Sequence, residues 1–123
     1  MIFVVIPRIT SKACQRPLGT ESREIKAWQF EASSEIKGAS ADQARLNLEK
    51  SKKSSGAWIA KDDDNNAWLQ VSFPRWFTLI TAVATQGKEN QWVTKYKLQY
   101  WTRNLKVKYY KDPLQSGPFK VNS

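Results

Sequence analysis

From Trp92 to Tyr100 the chain alternates: Trp92, Thr94, Tyr96, Leu98 and Tyr100 take the even positions, while Lys95, Lys97 and Gln99 join Val93 on the odd ones. That is the two-residue period of a strand with one buried and one wet face, and it constrains the fold more than any other feature. Trp68-Leu69-Gln70-Val71-Ser72-Phe73, the apolar run from Phe77 to Ala84 and a turn at Gln86-Gly87 lead into it. The stretch Trp68 to Tyr100 is therefore expected to form the centre of an antiparallel β-sheet. Leu105, Val107 and Tyr109 then alternate with Lys106, Lys108 and Tyr110. A hairpin with a four-residue loop, Trp101 to Asn104, sets Tyr100 against Leu105, Leu98 against Val107 and Tyr96 against Tyr109. A three-residue loop would mix the two faces, so the four-residue loop is preferred.

Elsewhere the local signals are shorter. Ile25 to Ala32 fits a strand with Trp28, Phe30 and Ala32 on one side, and Ala57-Trp58-Ile59-Ala60 is a brief apolar segment. Ser40-Ala41-Asp42-Gln43 has the form of a helix capping box, but Ala44, Leu46 and Leu48 repeat every second residue, so at most one helical turn is expected. Trp58, Trp68 and Trp92 are expected in the core. The Lys/Ser stretch 50–56 and Asp62-Asp63-Asp64-Asn65-Asn66 are a loop and a turn, and the tail from Asp112 to Ser123 has no periodicity.

At 123 residues and 41% hydrophobic content the chain suits one domain with a core rich in its six Trp, four Tyr and five Phe. The net charge is +9, of which six lie from Val93 onward, so anionic partners are attracted without any one being specified. Met1 to Ile6 is apolar, yet Pro7 and Arg8 stop it and no basic residue precedes it. It reads as a plain N-terminal strand, or an arbitrary fragment start, rather than an intact secretory signal. Histidine is absent, which removes Ser–His triads, imidazole acid–base chemistry and most transition-metal sites. Cys14 is the single cysteine, so it has no partner within the chain. An EF-hand loop counted from Asp62 would need Gly and Glu where Ala67 and Phe73 stand, so a solvated turn is preferred to a calcium site. No catalysis, metal site or cofactor is expected. Lys50, Lys52 and Lys53 form either a solvated loop or an anion-binding one.

Cys14-Gln15-Arg16-Pro17-Leu18-Gly19-Thr20-Glu21-Ser22 resembles the opening of the discoidin domain, also called the coagulation factor V/VIII type C domain. Ile25, Ala32-Ser33-Ser34, Ala44-Arg45-Leu46-Asn47, Gly56-Ala57-Trp58, Trp68-Leu69-Gln70-Val71, Ala84-Thr85-Gln86-Gly87 and Trp92 through Tyr100 follow in the same order. The resemblance runs from about Cys14 to Tyr110. It implies an all-β fold, a jelly-roll-like antiparallel β-sandwich incomplete at its C-terminus, with 1–13 as an extension, 14–111 as the partial domain and 112–123 as a divergent tail. It also implies that Cys14 is half of a disulfide whose partner is absent. Ser72-Phe73-Pro74 departs from the family's frequent Asp-Leu-Gly, Asn104 stands where a turn Gly is common, and Val107 replaces a frequent Trp.

Such domains bind through loops at one end of the sandwich, which correspond here to Ser34–Gln43, Leu48–Ser55 and Lys88–Gln91. The resemblance thus points to Glu35, Ile36, Lys37, Lys50, Lys52, Lys53, Lys88 and Glu89 as ligand-binding residues. The function it implies is non-catalytic extracellular or cell-surface recognition, within a larger protein, of anionic phospholipid, collagen, a glycan or a protein. Nucleic acid is not expected, although a basic β-domain binding nucleic acid stands as the alternative, beside a fragment without function. That alternative requires Trp28, Trp76 or Trp101 to be exposed beside lysines.

Overall fold

The computed structural model describes residues 3–5, 17–73, 78, 80, 82–101, 104–111 and 119–120. Cys14, Trp76 and, from the run Phe77 to Ala84, residues Phe77, Leu79 and Thr81 lie outside them, as do the expectations attached to those residues. Strands β1 (Phe3–Val5), β2 (Phe30–Ala32), β3 (Leu69–Val71), β4 (Val83–Thr85), β5 (Lys95–Tyr96), β6 (Gln99–Trp101), β7 (Val107–Tyr109) and β8 (Phe119–Lys120) are joined by turns and loops. They pair antiparallel as β1–β4, β2–β3, β5–β8 and β6–β7. The helical elements among the described residues are two single 3₁₀ turns, Ala27–Gln29 and Ala41–Gln43. None is long and apolar enough to cross a membrane. The N-terminal apolar run does form a strand, and the aperiodic tail contributes one as well: Phe119 pairs with Tyr96.

The core lies earlier in the chain than the best alternation does. Ile25, Phe30, Ala41, Ala44, Ala57 and Trp58 are buried together, and Leu69, Val71 and Phe73 pack on them from β3 and its continuation. Because odd residues of this strand face the core, Trp68 is turned outward and is 47% exposed. Trp92 is 46% exposed, so of the three tryptophans expected inside only Trp58, at 2%, is buried. Its indole Nε1 donates to the Ser34 carbonyl at 2.9 Å, which satisfies the one polar atom the ring carries inward.

The strand expected from Ile25 begins only at Phe30. Gln29 accounts for the change: its Oε1 accepts from the Lys26 amide at 2.9 Å and its Nε2 donates to the Ser72 carbonyl at 2.6 Å. These bonds hold residues 27–29 in a 3₁₀ turn, which buries Gln29 and swings Trp28 out to 74% exposure. At Ser40 the capping box does not form. The Ser40 hydroxyl donates to Asp42 Oδ1, and the amide of Ala41 donates instead to Glu35 Oε2 at 2.8 Å.

Arg45 is buried with the core and is 6% exposed. Its Nε donates to the Asp42 carbonyl at 2.8 Å, and its Nη1 donates to the carbonyls of Thr20 at 2.6 Å and Ile25 at 2.9 Å. The guanidinium lies 4.6 Å from the Phe30 ring centroid. Burial pulls its pKa down, while the neighbouring Asp42 carboxylate opposes the shift. A planar fork is needed to reach three carbonyls from one side chain, which a lysine ammonium on a flexible stem does not supply.

The β6–β7 hairpin differs from its expected register. Gln99 stands opposite Tyr109, Tyr100 opposite Lys108 and Trp101 opposite Val107, so five positions rather than four separate the paired residues nearest the turn. Leu105 occupies the left-handed region at φ 55° and is 83% exposed, so it leaves the strand that the alternation assigned to it. The apolar-matching argument assumes a face to bury, yet every residue of β6 and β7 is exposed. With neither strand buried, nothing enforces the pairing of like faces.

The acidic turn is also put to structural use. Asp64 accepts from the Ser33 hydroxyl at 2.5 Å, the Ser34 hydroxyl at 2.6 Å and the Asn66 amide at 3.2 Å, tying the end of β2 to the approach of β3. The two serine hydroxyls hold its pKa below the ordinary 3.8.

Two outcomes follow. Arg45→Lys should lower stability by about 1.5–3 kcal/mol through lost charged hydrogen bonds, read as a lower urea midpoint at unchanged slope. A carboxylate whose pKa is depressed by folding stabilises above its unfolded pKa and loses that contribution as pH falls through the folded one. The melting temperature should therefore fall as pH drops below 3.8, and Asp64→Ala should flatten part of that decline.

Candidate ligand-binding site

Each of the three loops ends in a tight two-residue turn. In the first, Ala39 N–H donates to the Ile36 carbonyl at 3.1 Å across Lys37 and Gly38, with Gly38 at φ 82°. Ile59 clamps its base: Ile36 N–H donates to the Ile59 carbonyl at 3.0 Å, and Ile59 N–H donates to the Ala39 carbonyl at 3.2 Å. In the second, Ser51 and Ser54 pair across Lys52 and Lys53. In the third, Lys88 and Gln91 exchange bonds of 2.9 and 3.0 Å across Glu89 and Asn90, with Glu89 left-handed at φ 54°.

The loops are tied to one another. Ser55 N–H donates to the Gly38 carbonyl at 2.7 Å, which joins the first loop to the second. Gln43 Oε1 accepts from the Ser54 and Ser55 hydroxyls at 2.7 and 3.3 Å. The second loop is joined to the third by Lys50 Nζ, 3.1 Å from Glu89 Oε1, and by Lys88 Nζ, which donates to the Leu48 carbonyl at 3.0 Å. At the roots of these two loops, Asn47 N–H donates to Gln86 Oε1 at 2.8 Å and Gln86 Nε2 donates back to Asn47 Oδ1 at 3.3 Å. Trp58 donates its Nε1 proton to the Ser34 carbonyl where the first loop begins, and it follows the second loop three residues on in sequence. Gly56 lets the legs of the second loop close up: a Cβ there would meet the Leu48 carbonyl oxygen at 2.7 Å and the Lys50 nitrogen at 2.9 Å.

These ties divide the charges that the sequence treats as one basic set. Lys50 is neutralised by Glu89, and Lys88 is held against backbone. Glu35 caps the Ala41 turn. Lys37, Lys52 and Lys53 are exposed and make no ion pair among the described residues. Ile36, 40% exposed, stands next to Lys37. Between the second and third loops lies a groove of about 310 Å³, walled by Trp58, Ile59 and Trp92 with Lys50 and Glu89 at its edge. Alternation conceals that groove, because Trp92 scores as a core residue whether it lines a core or a cleft. The roles of Arg45, Gln43 and Glu35 are equally invisible in spacing; the available signal was a charged Arg45 set between Ala44 and Leu46. Among the described residues no group of His, Cys, Asp and Glu is placed to hold a metal ion.

The profile of the F5/8 type C domain matches residues 29–123. The chain is 37% identical over 108 residues to coagulation factor V of Sus scrofa, covering 80% of this chain and 5% of that protein. It is 36% identical over 115 residues to retinoschisin of Mus musculus, covering 86% of this chain and 49% of that protein. Neuropilin-1a of Danio rerio is 33% identical over 95 residues, or 76% of this chain and 9% of that protein. The chain therefore belongs to the F5/8 type C, or discoidin, domain family, and its antiparallel, strand-dominated fold is that family's β-sandwich class. It spans about half or less of these relatives. No solved structure matches it. Domains of this family are ligand-binding modules of extracellular proteins.

Gly56→Ala should cost more than about 1 kcal/mol, because the site is left-handed at φ 77° and the Cβ has no room. Thermal unfolding reads the loss, and shifted amide resonances of Lys52 and Lys53 report the displaced tip.

Proposed function

We propose that this domain is a non-catalytic extracellular recognition module, part of a larger protein, that engages an anionic cell-surface or matrix ligand through its three tied loops. One observation carries the proposal: hydrogen bonds tie the loops to one another, and among the described residues Lys37, Lys52 and Lys53 there make no ion pair, with the exposed Ile36 next to Lys37. Anionic phospholipid, collagen and glycans are the ligand classes that the family supports. Burying the exposed 40% of Ile36 contributes roughly 0.6–1.2 kcal/mol. Each lysine near an anionic surface adds on the order of 1 kcal/mol. The sum describes weak, salt-sensitive binding that becomes useful when several modules share one surface.

The test is binding of the chain to phosphatidylserine vesicles, to phosphatidylcholine vesicles and to collagen across a salt series. The triple variant Lys37→Gln/Lys52→Gln/Lys53→Gln should lose most of the binding and its salt dependence. Lys50→Gln should change little, since that charge is already met by Glu89. Equal binding by the triple variant, or none to any of these surfaces, would overturn the loop assignment.

A further inference from the structure

A second cavity, of about 220 Å³, is lined by Arg23, Asp42, Gln43, Arg45, Leu48 and Ser54. Arg45 is 6% exposed, and its three hydrogen bonds use Nε and Nη1, so the two N–H groups of Nη2 have no partner among the described residues. Arg23 lies in a turn with left-handed backbone at φ 64°, and its guanidinium has no hydrogen bond or ion pair among the described residues. Burial lowers the Arg45 pKa, Asp42 opposes that shift and Arg23 adds to it, so the two cations stand close enough to repel. Lys26 Nζ, 3.2 Å from the Arg23 carbonyl, adds a third cation nearby. The carboxylates of the neighbourhood are mostly engaged. Asp42 Oδ1 accepts from the Ser40 hydroxyl at 2.6 Å, Glu21 accepts from Asn47 Nδ2 at 2.9 Å, and Glu24 lies against Gly19. Gln43 Nε2 donates to Ser40 Oγ at 3.3 Å, which leaves its second proton for the cavity.

We infer that this cavity binds a small α-hydroxy carboxylate, its carboxylate meeting Arg23 and Arg45 Nη2 and its hydroxyl donating to Asp42. The lining sets two guanidinium charges against one carboxylate, a net of +1, which a monoanion neutralises. A planar guanidinium fork matches the two oxygens of a carboxylate. An anion between Arg23 and Arg45 also relieves their mutual repulsion. Asp42 sets the selectivity. Beside it a divalent anion is repelled, whereas a hydroxyl on the carbon next to the carboxylate supplies the donor that Asp42 can accept. The volume lies below the roughly 300–1,000 Å³ of pockets that hold drug-sized ligands, so it suits a molecule of a few heavy atoms and no polymer. The site uses none of Lys37, Lys52 and Lys53 and is independent of the loop proposal.

The experiment is an NMR titration of the chain with glycolate, acetate and sulfate at constant ionic strength. Glycolate should shift the amide resonances of Arg23, Gln43 and Ser54, and should bind several-fold more tightly than acetate, which lacks the hydroxyl. Sulfate should not displace it. This comparison uses the unsubstituted chain, so it needs no variant to fold. Arg23→Gln changes an exposed side chain and should weaken glycolate binding roughly three- to tenfold. Asp42→Asn should narrow the gap between glycolate and acetate and admit sulfate. The loop variant Lys37→Gln/Lys52→Gln/Lys53→Gln should bind glycolate as the parent does, whatever it does on vesicles or collagen. No shifts at Arg23, Gln43 and Ser54, equal affinity for acetate, or glycolate binding untouched by Arg23→Gln would each overturn the inference. Loss of glycolate binding in the loop variant would overturn it as well, by moving the anion to the lysines.

Discussion

The indole of Trp58 is the contact on which the described structure depends. It fills the middle of the core, and its single polar atom bonds to Ser34 at the root of the first loop. Its neighbours Gly56 and Ala57 follow directly on the second loop, and Trp58 lines the groove between the second and third loops. A buried aromatic of this size removes roughly 150–250 Å² from water. The position of the loops relative to one another is thus set by the same side chain that contributes most to the core. Arg45 plays a matching role on the other side, drawing the carbonyls of Thr20, Ile25 and Asp42 to one point over Phe30.

Strand type, antiparallel pairing, family and loop positions could all be read from the residues, because each rests on local pattern or on ordered short motifs. Burial could not. A period of two says that neighbours face opposite ways and leaves open which way is inward, so it does not reveal that Leu69 and Val71, and not Trp68, face the core. The hairpin register differs from the apolar match for a related reason: matching apolar sides matters only when one side is covered, and both β6 and β7 are exposed throughout. Pairings between distant segments, such as β1 with β4 or Asp64 with Ser33 and Ser34, leave no trace in spacing. They depend on where the chain returns.

Net charge was a poor guide to the loop end and local pairing a better one. Lys50 and Lys88 count fully toward the charge of +9, yet one is matched by a carboxylate and the other serves the Leu48 carbonyl. What remains presentable is a smaller group on two turn tips that share a backbone bond. Fixing cations on short hairpins over a packed aromatic keeps the entropy lost on meeting a surface small, which matters when each contact is weak.

The hairpin of β6 and β7 has water on both faces, and the core lies elsewhere. A pair of strands without a covered side is marginal by itself, so its ladder amides should exchange with solvent through small local openings. Amides around Trp58 and Arg45 open only when the core comes apart. The molecule therefore carries two tiers of persistence: the loop end is seated on the tier that lasts, and the hairpin is free to breathe without disturbing it.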